Sequence, residues 1–196
     1  MHKPIISLFT LFLVAAGAHA EAPATMRVDY FHSGNHETEL FSLDQVVIEP
    51  QPWGGNMAQP HDKTNRGKYL FEIVDPDTGK VAWSRSFSSI YGEWETPGEA
   101  RQINRSFHES VRFPAQDATF LLVMKKRGPG NAFEEVWRIE LDPADVLVHR
   151  ESAMFDGQVV AIHESGDPAR KVDLLLLGDG YTAEEHDKFI ATAREL

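Results

Sequence analysis

The chain has 196 residues, 42% of them hydrophobic and 25% charged, which suits a globular protein with one core and room to begin a second. Its formal net charge of -11 argues against nucleic acid or an anionic membrane as a partner, because both demand clustered Lys and Arg. The lack of cysteine excludes disulfides, thiolate zinc sites, a cysteine nucleophile and a lipid-modified N-terminal cysteine.

Residues 1–20 read as a secretory signal peptide. Lys3 supplies the basic start, an apolar run extends from Ile5 to Ala16, and Ala18-His19-Ala20 is a small-residue cleavage site before Glu21. A membrane anchor would need roughly 20 apolar residues, so this run predicts export to the periplasm or the medium rather than stable insertion.

From Met26 to about Glu164 the pattern is short alternating segments separated by turn residues. In MRVDYFHSGN, Met26, Val28 and Tyr30 alternate with Arg27, Asp29 and Phe31 before Gly34-Asn35. LDQVVIEP follows; KYLFEIV and KVAWSRSF then flank DPDTG, whose Pro76 and Gly79 suit a hairpin turn. SFHESVRFP, TFLLVMKKR and EEVWRIELD continue the series, the last two joined by GPGN. No stretch here carries a sustained helical stripe, so the expected fold is mainly β: an antiparallel β-sandwich of about seven to nine strands over residues 25–165. Two long loops interrupt it, residues 51–67 with Trp53 and residues 89–104 with Trp94, and loops of such length tend to carry function.

At HESGDPARK the grammar changes. Val172–Leu177 is an apolar run without polar alternation, as expected of a strand buried on both faces of a parallel sheet. GDGYT follows, and then a helix announced by a Thr182/Glu185 capping box, with Phe189, Ala193 and Leu196 on one stripe beside Ile190. A central strand needs neighbours and a strand-helix unit needs its next strand. The expectation for residues 170–196 is therefore the truncated strand-loop-helix opening of an α/β domain.

Those residues carry a family resemblance. KVDLLLLGDGYTAEEHDKF, together with MRVDYFHSGN, LDQVVIEPQPW, GKYLFEIVD, SIYGEWETPGEA, ESVRFP and NAFEEVW, resembles secreted zinc metallopeptidases of the IgA-peptidase type, in the same order and over the whole chain after the signal peptide. The resemblance implies an N-terminal β-sandwich followed by the start of the peptidase domain. It also implies a peptide or protein substrate and a zinc ion held on an H-E-x-x-H helix further downstream. That motif is incomplete here. The pairs beginning at His36, His108 and His163 have Leu40, Arg112 and Asp167 where the second histidine would stand, so the chain is expected to hold neither catalytic nor metal-ligating residues and to be inactive alone.

Other candidates have plainer readings. His32 and His36 in HSGNH read as surface residues flanking a turn, since ligand-like spacing requires a helix there. DPDTG echoes a calcium loop but lacks its glycine and glutamate positions, so it reads as a hairpin turn. Gly178-Asp179-Gly180 lacks the third glycine of a dinucleotide fingerprint, and Gly180 stands where an esterase would need serine. Asp179 and Tyr181, at the carboxyl end of the expected strand, are candidates to line the peptidase cleft. Trp53 and Trp94 are candidates for binding or domain docking, and Trp83 and Trp137 for the core. The alternative function is a stand-alone secreted sandwich that recognises a glycan or protein through the Trp53 and Trp94 loops.

Overall fold

The computed structural model describes residues 22–152, 159–166 and 170–195; the signal-peptide segment lies outside them. Two four-stranded sheets face each other. The first has the order β5-β1-β2-β8 and the second β4-β3-β6-β7. The strands are β1 (Ala24–Gly34), β2 (Glu39–Pro52), β3 (Tyr69–Val74), β4 (Val81–Phe87), β5 (Arg105–Pro114), β6 (Phe120–Arg127), β7 (Phe133–Leu141) and β8 (Val148–Arg150). All pairings are antiparallel except β2 with β8, a three-residue parallel edge. The mainly β sandwich expected from the alternation is the observed architecture.

Period-two side chains fill the space between the sheets. Met26, Val28 and Tyr30 of β1 and Val111 and Phe113 of β5 meet Tyr69, Phe71 and Ile73 of β3 and Phe120, Leu122 and Met124 of β6. Trp83 belongs to this core, and Trp137 packs against its margin. One bulge decides which residues of β2 join it. The β1–β2 register pairs Asp29 with Gln45 but Tyr30 with Leu43, leaving Asp44 as the extra residue. Above the bulge Val46 faces inward; below it Phe41 and Glu39 do, with Leu43 on the same face but 37% exposed.

The tight connections follow their residues. Asp75 Oδ1 accepts from the Asp77 and Thr78 amides at 3.0 and 2.8 Å, and Gly79 takes φ +67° to close the β3–β4 hairpin. Gly34 has φ +138°, and a Cβ there would lie 1.9 Å from the Thr38 carbonyl oxygen.

Residues 172–178 depart from expectation. The strand foreseen at Val172–Leu177 forms no ladder, and Leu174 is 87% exposed. A strand is stabilised by backbone partners on a neighbouring strand, and among the described residues none lies beside this segment. The helix after it does form: a 3₁₀ turn at Ala183–Glu185 leads into α2 (His186–Ala193), with the Thr182/Glu185 capping box in place. A shorter helix, α1 (Ile90–Trp94), lies between β4 and β5. Phe189 rests on Tyr181 with ring centroids 5.2 Å apart and lies so close to Gly178 that a Cβ would be 3.3 Å from its ring.

The two glycines give a graded test. Gly79→Ala meets only backbone strain, at a cost of about 1 kcal/mol. Gly34→Ala adds collision with a carbonyl and is expected to cost at least about 2 kcal/mol in urea unfolding. Equal losses would contradict the tight apposition at Gly34.

Candidate functional site

The inward rows of β1, β2, β5 and β6 all become polar at the same end of the sandwich. Following Met26, Val28 and Tyr30, the next inward position on β1 is His32; on β5 it is Glu109, on β6 Lys126 and on β2 Glu39. These four side chains meet. His32 Nδ1 lies 3.0 Å from Glu109 Oε2, and its Nε2 lies 2.7 Å from Glu39 Oε1. Glu39 Oε1 also accepts from the Tyr69 hydroxyl at 2.8 Å, while its Oε2 accepts from Lys126 Nζ at 2.5 Å. Tyr30 donates its hydroxyl to Glu109 Oε2 at 3.2 Å.

This corrects the reading of His32 as a surface residue beside a turn: it is 1% exposed. The turn lies further on, because β1 runs to Gly34, and the strand parity carries the ring inward.

The loop at residues 89–104 covers this end. Within it Ser89 caps a short helix, α1 (Ile90–Trp94), its hydroxyl accepting from the Gly92 amide at 3.0 Å. Five residues are too few to show a periodic stripe, so the helix was not foreseen. Tyr91 is its plug. The Tyr91 ring stacks on His32 with centroids 3.9 Å apart, and Phe41 stacks on the other side at 4.1 Å. The Tyr91 amide donates to Glu109 Oε1 at 3.1 Å, and its hydroxyl reaches the carbonyls of Asn35 and Thr38 at 2.8 and 2.9 Å. Gly92 allows the close fit, since a Cβ there would lie 2.8 Å from the Tyr69 ring. Beyond α1, Glu95 pairs with Lys126 at 2.9 Å and with Lys68.

The electrostatics follow from this geometry. Burial alone would lower the pKa of His32, but the hydrogen bonds and charges of Glu109 and Glu39 outweigh it and the net shift is upward. Burial would raise the carboxylates, yet hydrogen bonds from His32, Lys126 and Tyr69 hold Glu39 at about 2, and those from His32 and Tyr91 lower Glu109. Burial would lower Lys126, but Glu39 and Glu95 raise it. Burial and then the nearby carboxylates Glu39 and Glu95 push Tyr91 up to about 12. With His32 protonated, the cations His32, Lys68 and Lys126 balance the anions Glu39, Glu95 and Glu109.

A metal ion does not fit this cluster. Both His32 nitrogens face carboxylate oxygens and act as donors, whereas a ligating imidazole must offer a lone pair. Among the described residues no three His, Asp or Glu side chains are grouped to hold a metal. The His108-Glu109 pair shows one reason. Neighbours on a strand point to opposite faces, so Glu109 is inside while His108 lies outside, 3.1 Å from Asp44. His36 turns instead to the Ala100 carbonyl, 3.3 Å away, and His163 is exposed.

The tryptophans proposed for binding do not form one platform. Trp53 donates its backbone N–H to Pro23 at the start of β1 and sets its ring edge-on to Trp83, 5.5 Å away, at the margin of the core. Trp94 packs on Tyr91 and Phe107 at 5.8 and 5.6 Å, beside the other end of β1. The 11 residues of β1 separate the two ends by roughly 33 Å. A shallow groove runs beside Trp94, lined by Ile90, Glu93, Thr96 and Pro97. Asp179 is exposed and Tyr181 half-buried against Phe189.

Two family models match the sequence. One, described as Peptidase M64 N-terminus, covers residues 19–138. The other, described as IgA Peptidase M64, covers residues 160–196. The first alone spans more than half of the chain, from β1 into β7. No curated protein matches the chain.

Removing one partner from the buried cluster leaves others unbalanced, so Glu39→Gln is expected to cost about 3–5 kcal/mol at neutral pH. Because the folded state lowers the pKa of Glu39 to about 2, its contribution is complete above its unfolded value near 4.5 and is lost as pH falls through 2. Urea midpoints measured between pH 7 and 2 should fall steeply on the acid side for the wild type and less steeply for E39Q. Parallel acid limbs would refute the role assigned to Glu39.

Proposed function

The chain belongs to the M64 peptidase family, and on that premise we propose that its β-sandwich is the N-terminal accessory domain of a secreted zinc metallopeptidase. The observation that carries this reading is the pairing of two matches in one chain, the N-terminal region over the sandwich and the peptidase over residues 160–196. In this reading residues 1–20 direct export and are removed before Glu21, giving a periplasmic or secreted protein.

Peptide-bond hydrolysis is then the work of the whole enzyme, with zinc held by residues outside these 196. The three incomplete His-Glu pairs support that, as does the inward turn of the Glu109 carboxylate, which is used for packing and not for catalysis. Residues 170–196 belong to the peptidase domain, where Val172–Leu177 becomes an interior strand once neighbouring strands pair with it. Its present exposure is what an apolar segment shows without such neighbours. Asp179 and Tyr181 would then border the substrate cleft. Among the described residues no helix is long and apolar enough to cross a membrane.

Residues 21–196, purified and supplied with zinc, are expected to retain no stoichiometric metal after dialysis and to show no chelator-sensitive cleavage of a denatured protein substrate. Cleavage abolished by a chelator would overturn the assignment of the zinc site to other residues. In the whole enzyme, Asp179→Ala should reduce kcat/KM for peptide hydrolysis, and an unchanged value would remove Asp179 from the cleft.

A further inference from the structure

We propose that His32 is the pin of a pH-released latch that fastens residues 89–101 over the end of the sandwich. The argument begins with the ring's two partners. A neutral imidazole can donate from only one nitrogen, so deprotonation turns a lone pair toward either Glu109, 3.0 Å away, or Glu39, 2.7 Å away. Facing a lone pair at that distance is repulsive for a buried carboxylate, and one of the two must move.

Each carboxylate is also a fastening of the covering segment. Glu109 holds the start of α1 through the Tyr91 amide at 3.1 Å. Glu39 holds the end of it through Lys126, which spans 2.5 Å to Glu39 and 2.9 Å to Glu95. The stacked Tyr91 ring adds a third dependence, since an aromatic face attracts the imidazolium more strongly than the neutral ring. Loss of one proton therefore weakens the segment at one of its ends and over its plug. What resists release is the Tyr91 hydroxyl on the Asn35 and Thr38 carbonyls, the Lys68 ammonium on the Gly92 carbonyl and Glu95, and the His36 amide on the Ala100 carbonyl.

The groups that face His32 from the packed elements are Tyr30 of β1, Glu39 of β2, Tyr69 of β3, Tyr91 of α1 and Glu109 of β5, with Lys126 of β6, Glu95 and Lys68 one bond further out. Glu39 and Glu109 are lowered by their donors while Tyr30, Tyr69, Tyr91 and Lys126 are raised, which leaves His32, raised above its usual value by the two carboxylates, as the member whose charge governs the latch. Its pKa is raised on folding, so the closed latch is fully stabilised below the unfolded value near 6.5 and is weakened as pH rises through the folded value. The core cluster beyond this end is packed from apolar side chains and tyrosines, so opening is local. It bares a floor formed by Tyr69, Phe41 and the imidazole itself, beside the exposed Ile90.

Amide hydrogen exchange of the whole chain between pH 6 and 10, corrected for the intrinsic rise of exchange with pH, tests this. Protection of Tyr91, Gly92 and Trp94 should fall by up to about tenfold per pH unit between the open-state value near 6.5 and the folded His32 pKa and level off above it, while Val28, Leu122 and Val123 amides stay unchanged. His32→Gln should lose that pH dependence, and Tyr91→Phe should lower protection of the segment yet keep it. Flat protection in the wild type, or a fall shared equally by the strand amides, overturns the latch, even if H32Q proves too unstable to study.

Discussion

A buried carboxylate is tolerated only where donors replace its water, and Glu39 finds those donors on both sheets at once. His32 approaches from the first sheet, and Tyr69 and Lys126 approach from the second. Elsewhere the sheets are held by non-directional apolar packing, which alone would accept small slides. At this end the hydrogen bonds fix their relative position. A one-residue slip of β1 would turn His32 outward and bring Phe31 or Ser33 against two carboxylates with no proton to share. The covering segment depends on the same groups, because Tyr91 can only seat where Glu109 and the imidazole ring already stand.

The sandwich was legible because its strands obey period two and its turns use residues with special geometry. Gly79 adopts the left-handed conformation its place in DPDTG suggested, and Asn131, in GPGN, does likewise with φ 62°. The buried cluster was legible only in part. Continuing the alternation from Met26 through Tyr30 leads to His32, and continuing from Phe120 through Met124 leads to Lys126, so inward charges could have been found by strict parity. Glu39 could not. Its inward position rests on the bulge at Asp44, and parity counted down from Val46 would have placed Leu40 inside, whereas Leu40 is 59% exposed. The α1 helix was hidden by its brevity. Val172–Leu177 failed for a different reason: propensity was read correctly as apolar and extended, but strand formation is a property of two segments and not of one.

The same contrast separates structure from chemistry in this chain. A histidine followed by glutamate means metal chemistry on a helix, where residues one turn apart share a face. On β5 it means one residue outside and one inside. Family membership assigns the chain to a peptidase lineage, and the cluster around His32 and Glu39 ties the two sheets together. The polar end and its cover are the part of the space between the sheets whose contacts depend on charge, since the rest of that core is packed mainly from apolar side chains.

The account rests on a doubly protonated imidazole held between two carboxylates. Nitrogen-15 NMR of the His32 ring, followed from pH 5 to 10, tests that directly. The predicted result is imidazolium shifts at both nitrogens at pH 7, persisting well above the range near 6.5 where a free histidine titrates. Shifts of a neutral tautomer at pH 7, with one nitrogen unprotonated, would contradict it.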